Sequence, residues 1–279
     1  MNYFKTTMLL IGLAALLMFV GHLLGGSTGV IIALILAVII NFTSWFYSDK
    51  IVLSMYRAQE VDESSAPNLY SIVRDLAREA DLPMPKVYII PSNSPNAFAT
   101  GRDPNHAAVA VTNGILGLLD HGELRAVLGH EMAHVKNRDS LVMTIAATIA
   151  AAIGLIAYMA RWAAFFGIGD RRSGGGALAL LVWAILAPII AMIIQLAISR
   201  TREFGADRAG AEISGQPLML ASALGKISSA SRMRPQADLA DPSTAHLWIA
   251  SPLSGGFLAT LFSTHPPVEE RIRRLEQMV

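Results

Sequence analysis

The chain has 279 residues, 53% of them hydrophobic and only 15% charged, with a mean hydropathy of +0.47. An average soluble domain carries about 25% charged residues, so much of this chain is expected to sit in lipid. A net charge of +1 gives no signature of nucleic-acid binding, and the absence of cysteine excludes disulfides and thiolate zinc sites, leaving His, Asp and Glu for any metal.

No charged residue occurs between Lys5 and Asp49, and the run is broken once, at the GGSTG stretch beginning at Gly25. A membrane span needs about 20 apolar residues. The two halves, Thr6 to Leu24 and Val30 to Tyr47, are each about that long, so residues 1–48 are expected to form a transmembrane hairpin. A signal peptide would need an A-x-A-like cleavage site after the first half, and a second span follows instead. Lys5, Lys50 and Arg57 flank the hairpin while its turn carries no Lys or Arg, which orients both ends toward the cytoplasm. His22 has no second ionisable group near it in this hairpin and reads as an interfacial imidazole beside the glycine turn.

Residues 49–139 read as the first part of a soluble domain. Leu69, Ile72, Val73, Leu76 and Ala80 fall at helical spacing, with Pro67 near the first turn and Ser65 as cap. KVYIIP from Lys86 and AAVAVT from Ala107 read as short strands, joined by the turn-rich link SNSPNAFATGRDPNH. Asp120, with Glu123 three residues on, opens a helix in the manner of a capping box. Strands followed by helices point to an α+β domain with a small sheet, not to a doubly wound parallel one.

That helix contains HEMAH. His130 and His134 lie one turn apart on a single face, so both imidazoles can share one metal. Glu131, between them, can reach a water at that metal and take its proton. Glu123, Arg125, Lys136 and Arg138 flank the motif, which places it at the membrane surface and not inside a span. Asn137 and Asp139 read as helix caps where this helix ends and the next begins.

Residues 140–198 hold a second pair of uncharged stretches, Ser140 to Ala160 and Ala177 to Ile198, expected as a second hairpin. Its turn carries Arg161, Arg171 and Arg172, which sits uneasily with the orientation of the first, so a shallow or protein-covered hairpin stays open. Residues 199–279 then complete the soluble domain. Glu203 is placed to be the third ligand that a catalytic zinc needs, and Asp207, one turn later, can accept a hydrogen bond from a ligating imidazole. A helix near Pro217 to Met233, a loose Ser, Pro and Asp-rich segment, and a last helix from about Pro267 follow.

Taken in order, NAFATG, HEMAH, REFGAD and the terminal STHPPVEER resemble the HtpX family of membrane-bound zinc metalloproteases, relatives of the CAAX prenyl proteases. The resemblance runs over essentially the whole chain. It implies a zincin-like domain combined with four transmembrane helices and one Zn2+ per subunit. It also implies endopeptidase activity on protein or peptide substrates, chiefly damaged or misfolded membrane proteins, in a stress response. The implied location is the bilayer of a bacterial inner membrane, with the catalytic domain facing the cytoplasm. Asn96 resembles the residue that holds the substrate backbone, and His265 with Arg271 resembles the pair that polarises the scissile carbonyl. The chain departs from the family pattern at Gly205, where bulkier residues are common. The competing reading is a four-span scaffold or binding protein with a closed structural metal site, which would leave Glu131 without a use.

Overall fold

The computed structural model describes residues 2–146, 149, 200–233 and 266–279. Helix α1 (Asn2–Met55) opens the chain. A straight helix would separate Leu10 from Asn41 by about 46 Å, yet the Asn41 side-chain amide donates to the Leu10 carbonyl at 3.0 Å. The helical stretch therefore doubles back. Gly26 turns it with a φ of 57°, and Gly21 meets Gly29 so closely that a Cβ on either would overlap the other's backbone. His22 is exposed near this turn. Within this hairpin Gly26–Tyr47 is long and apolar enough to cross a membrane, while the apolar stretch of the first leg is the shorter Thr6–Phe19.

The soluble part is built on a mixed four-stranded sheet. Strands β1 (Gln59–Val61), β2 (Lys86–Ile90), β3 (Ala97–Gly101) and β4 (Ala107–Thr112) are arranged in the order β1-β2-β4-β3. β2 and β4 are parallel, and the outer pairs are antiparallel. Helices α2 (Pro67–Glu79), α3 (Asn113–Leu118) and α4 (His121–Lys136) belong to this first segment. Helices α5 (Arg200–Ser214), α6 (Pro217–Met233) and α7 (Val268–Glu276) come from the later ones. A small mixed sheet with mostly helices is the α+β architecture expected.

Side-chain alternation along β4 decides what lies on each face. Val109 and Val111 join Leu76, Val127, Leu128, Met132 and Leu224 in the main core, beneath α2, α4 and α6. Ala108 and Ala110 face the other way, against Val52, Leu53 and Tyr56 at the end of α1 and against Phe98 and Met143. The sheet is thus held between helices α2, α4 and α6 and the foot of the α1 hairpin. The Tyr56 and Phe98 rings meet at a tilt of 48° with centroids 5.3 Å apart, and Arg102, just past β3, lies 4.4 Å over the Phe46 ring. Phe42, Trp45, Phe46 and Tyr47 form an exposed aromatic cluster at that end of the hairpin, the composition of a membrane interface.

Three local expectations change. The link expected to be turns contains β3, whose Ala, Phe, Ala, Thr and Gly lack polar alternation because all five residues are buried. Ser65 does not cap α2; its hydroxyl bonds Asp62 Oδ1 at 2.8 Å, and Ala66 occupies the cap position. Asp139, expected as a cap, is instead the buried first residue of the next helix, which is described through residue 146. The rest of the second hairpin expected over 140–198, and His265, lie outside the described residues.

Candidate active site

Helix α4 presents the HEMAH residues because both its ends are fixed. At the start, Asp120 accepts from the Glu123 amide at 2.9 Å and Glu123 returns a bond to the Asp120 amide at 3.0 Å. Glu123 also receives Ser222 and Lys226 from α6, each at 2.7 Å. At the other end Asn137 closes α4 and Arg138 adopts a φ of 58°. The chain therefore breaks and redirects just after His134 instead of running straight on.

α5 crosses α4 at van der Waals range. A Cβ on Gly210 would lie 2.5 Å from His130 Cα and 2.6 Å from its nitrogen, and one on Gly129 would lie 2.8 Å from the Gly210 carbonyl. Paired glycines let the two backbones touch. That approach brings Glu203 and Asp207 onto the two histidines.

At the crossing, His130 Nε2 and His134 Nε2 are 3.2 Å apart. Glu203 Oε2 is 3.9 Å from the first and Oε1 is 3.6 Å from the second. Ligands about 2.0–2.1 Å from a tetrahedral zinc are about 3.3 Å from one another, so these three groups fit one such ion. All three side chains are buried. Each imidazole also meets a carboxylate at its far nitrogen: Asp207 Oδ1 lies 3.0 Å from His130 Nδ1, and Asp139 Oδ2 lies 3.5 Å from His134 Nδ1. A carboxylate beside each Nδ1 favours the tautomer that leaves Nε2 for a metal.

Glu131 is buried, and its Oε2 accepts the Ala99 amide at 2.9 Å. Burial raises its pKa above the usual carboxylate range, with His130 and His134 offsetting this only in part. Burial alone would lower His134, but Asp139, Glu203 and Glu131 outweigh it and raise it to about 9. A metal arriving at neutral pH therefore displaces a proton from that imidazole. Burial likewise opposes ionisation of Asp207, and Arg271 overrides it, holding the carboxyl well below its ordinary range.

Arg271 is fully buried and grips Asp207 with two bonds, Nε to Oδ2 at 2.8 Å and Nη2 to Oδ1 at 2.7 Å. Asn96 is buried immediately before β3, its amide donating to Thr112 Oγ1 at 2.9 Å. The structure therefore brings His130, Glu131, His134, Glu203, Asp207 and Arg271 into one cluster, with Asn96 just ahead of the adjoining edge strand. Sequence reasoning missed Gly129, Gly210 and the Ala99 amide. The glycines carried one signal, their cost of about 1 kcal/mol in a helix interior; the amide carried none.

Known proteins match along the whole chain. The model of peptidase family M48 matches residues 63–279. The "Protease HtpX homolog" of Syntrophobacter fumaroxidans is 57% identical over 279 residues, 99% of each chain. That of Thermodesulfovibrio yellowstonii is 55% identical over 280 residues, 100% of this chain and 99% of the relative. In Thermococcus kodakarensis the corresponding protein is 53% identical over 278 residues, 99% and 96% of the two chains. The crystal structure of S. mikatae Ste24p superposes with a TM-score of 0.51 at 17% identity, over 87% of this chain and 57% of that one. At that identity the likeness is one of fold.

Proposed function

Because the chain belongs to peptidase family M48, in its HtpX branch, and is a membrane metalloprotease acting on proteins or peptides, we propose that it is a zinc endopeptidase. The observation that carries this is the set of three buried ligand side chains, which approach one another to 3.2–3.9 Å through their donor atoms, with a buried carboxylate beside them. In this reading His130, His134 and Glu203 hold one Zn2+. A bound zinc supplies Lewis acidity, lowering the pKa of a water to about 7.

Glu131 takes the proton of the attacking water and passes it to the leaving amine. Its raised pKa suits a group that must both accept and return a proton. The Ala99 amide fixes Oε2, which leaves Oε1 for proton transfer. Asp207 fixes the His130 tautomer. The family resemblance assigns His265 and Arg271 to the scissile carbonyl, and Arg271 also holds Asp207 through Nε and Nη2.

The substrate is proposed to add as a strand to β3. The Thr112 amide donates to the Asn96 carbonyl at 2.9 Å, and antiparallel pairs alternate between bonded and non-bonded. Phe98 and Thr100 therefore bond β4, while Ala97, Ala99 and Gly101 turn their backbone groups outward, the Ala99 amide being taken by Glu131. Backbone pairing there gives broad sequence tolerance, with Asn96 at the head of the edge. Preferred substrates in this reading are membrane proteins cut close to a bacterial inner membrane, on its cytoplasmic side, by a four-helix, two-hairpin protein. The test is elemental analysis of purified protein together with casein cleavage, before and after chelation. One zinc per chain and chelator-sensitive cleavage are expected; cleavage persisting in metal-free protein would contradict the proposal.

A further inference from the structure

The two histidines of the cluster are supported in parallel. His130 Nδ1 faces Asp207, and Asp207 is held by Arg271. His134 Nδ1 faces Asp139, and Asp139 meets Arg202 Nη1 at 3.4 Å. Asp139 is 3% exposed and the Arg202 side chain 13%, so neither belongs to a solvated surface network. Asp139 reaches His134 because the chain breaks at Arg138 and restarts as a helix on Asp139 itself. Arg202 is the neighbour of Glu203 on α5.

We propose that Asp139 is a positioning residue for the metal centre, holding the His134 imidazole by its Nδ1 and, through Arg202, tying the Glu203 helix to the helix that follows HEMAH. A buried Nδ1–H needs an acceptor, since a donor taken out of water without one is destabilising. Asp139 is the carboxylate that the fold brings to it. The arrangement spans both halves of the site. It aims one ligand directly and holds the first turn of the helix that carries another. This rests on the reading of His130, His134 and Glu203 as zinc ligands.

The test is a zinc titration against a competing chromophoric chelator, on the purified full chain in detergent micelles, with thermal unfolding of the zinc-stripped forms. Asp139→Ala is expected to weaken zinc by about 10- to 100-fold, the effect typical of groups that orient a ligand. Asp139→Asn keeps an acceptor and should recover most of that loss, while zinc-stripped Asp139→Ala is expected to unfold more easily than zinc-stripped wild type, since it also loses the Arg202 tie. Wild-type zinc affinity in Asp139→Ala, or equal losses of zinc affinity in the Asn and Ala variants, would each overturn the assignment. His134→Ala separates the two levels. If it loses zinc while Asp139→Ala does not, this inference alone fails; if His134→Ala binds like wild type, the ligand reading fails and takes the inference with it.

Discussion

Glu131 sits in an environment that sets its chemistry as well as its place. Burial keeps its proton affinity high, and one oxygen is tied to the β3 backbone. Glu131→Gln keeps the size and can still accept the Ala99 amide, so metal binding should be unchanged. Cleavage should fall by at least about 100-fold, the lower range of general-base contributions. Substantial cleavage by the metal-replete variant, assayed beside wild type, would remove Glu131 from the role of base. Glu203→Ala should abolish tight zinc binding, read by the same chelator competition, because two imidazoles alone leave a catalytic site a protein ligand short. The residues of this cluster were legible in the sequence where chemistry constrains spacing. His130, His134, Glu203 and Asp207 recur at one helical turn, which periodicity reveals. Asp139 was not, because its contact with His134 depends on a left-handed residue at Arg138 that no glycine announces.

At the scale of elements, the α4–α5 crossing carries the site, and its two kinds of glycine make opposite predictions. Gly210→Ala places a methyl group against the His130 backbone. It should cost about 1–3 kcal/mol, as overpacking does, and weaken zinc. Nothing lies within 4 Å of a Cβ at Gly205, so Gly205→Ala should leave zinc binding intact and gain up to about 1 kcal/mol from helix propensity. Thermal unfolding with zinc titration checks both, and equal tolerance of the two changes would refute the close-crossing account. Glu123 makes a pH prediction. Burial raises its pKa, but Lys226, Ser222 and the Asp120 amide outweigh that and lower it below the ordinary value. A carboxyl lowered on folding stabilises above its unfolded pKa of about 4.3 and loses that contribution as pH falls through the folded value. Glu123→Gln should therefore unfold more easily than wild type near neutrality, with the gap closing below about pH 4. Both proteins are compared in chelator, so that acid release of metal plays no part. Helices α2, α4 and α6 and strands β2 and β4 were readable from apolar spacing and caps. β3 was hidden by its small residues between Pro and Gly signals, and β1, three residues long, is too short to show a period.

For the whole molecule, the sheet joins the membrane to the chemistry. β3 touches the foot of the hairpin through Phe98 and Tyr56 and the His130–His134–Glu203 cluster, through Glu131, by the Ala99 amide. Thr100 bonds Thr144, in the helix entering the second apolar region, at 2.9 Å. His134 lies in the last turn of α4 and Glu203 in the first turn of α5, so the apolar region between them begins and ends at the site. The first hairpin was legible because charge disappears from it and glycines mark its turn; the packing of its foot on the sheet was not, since that surface is ordinary core sequence. An active site anchored in this way should cut where polypeptide leaves or lies on the bilayer. The direct measurement places one cleavable segment on a membrane-tethered substrate, at increasing distance from the surface through flexible spacers, with the protease reconstituted in the same vesicles. Cleavage should be fastest near the membrane and fall once the segment can no longer return to it. Equal cutting at every distance, or of the same segment with no tether, would contradict a protease built to work at the membrane surface.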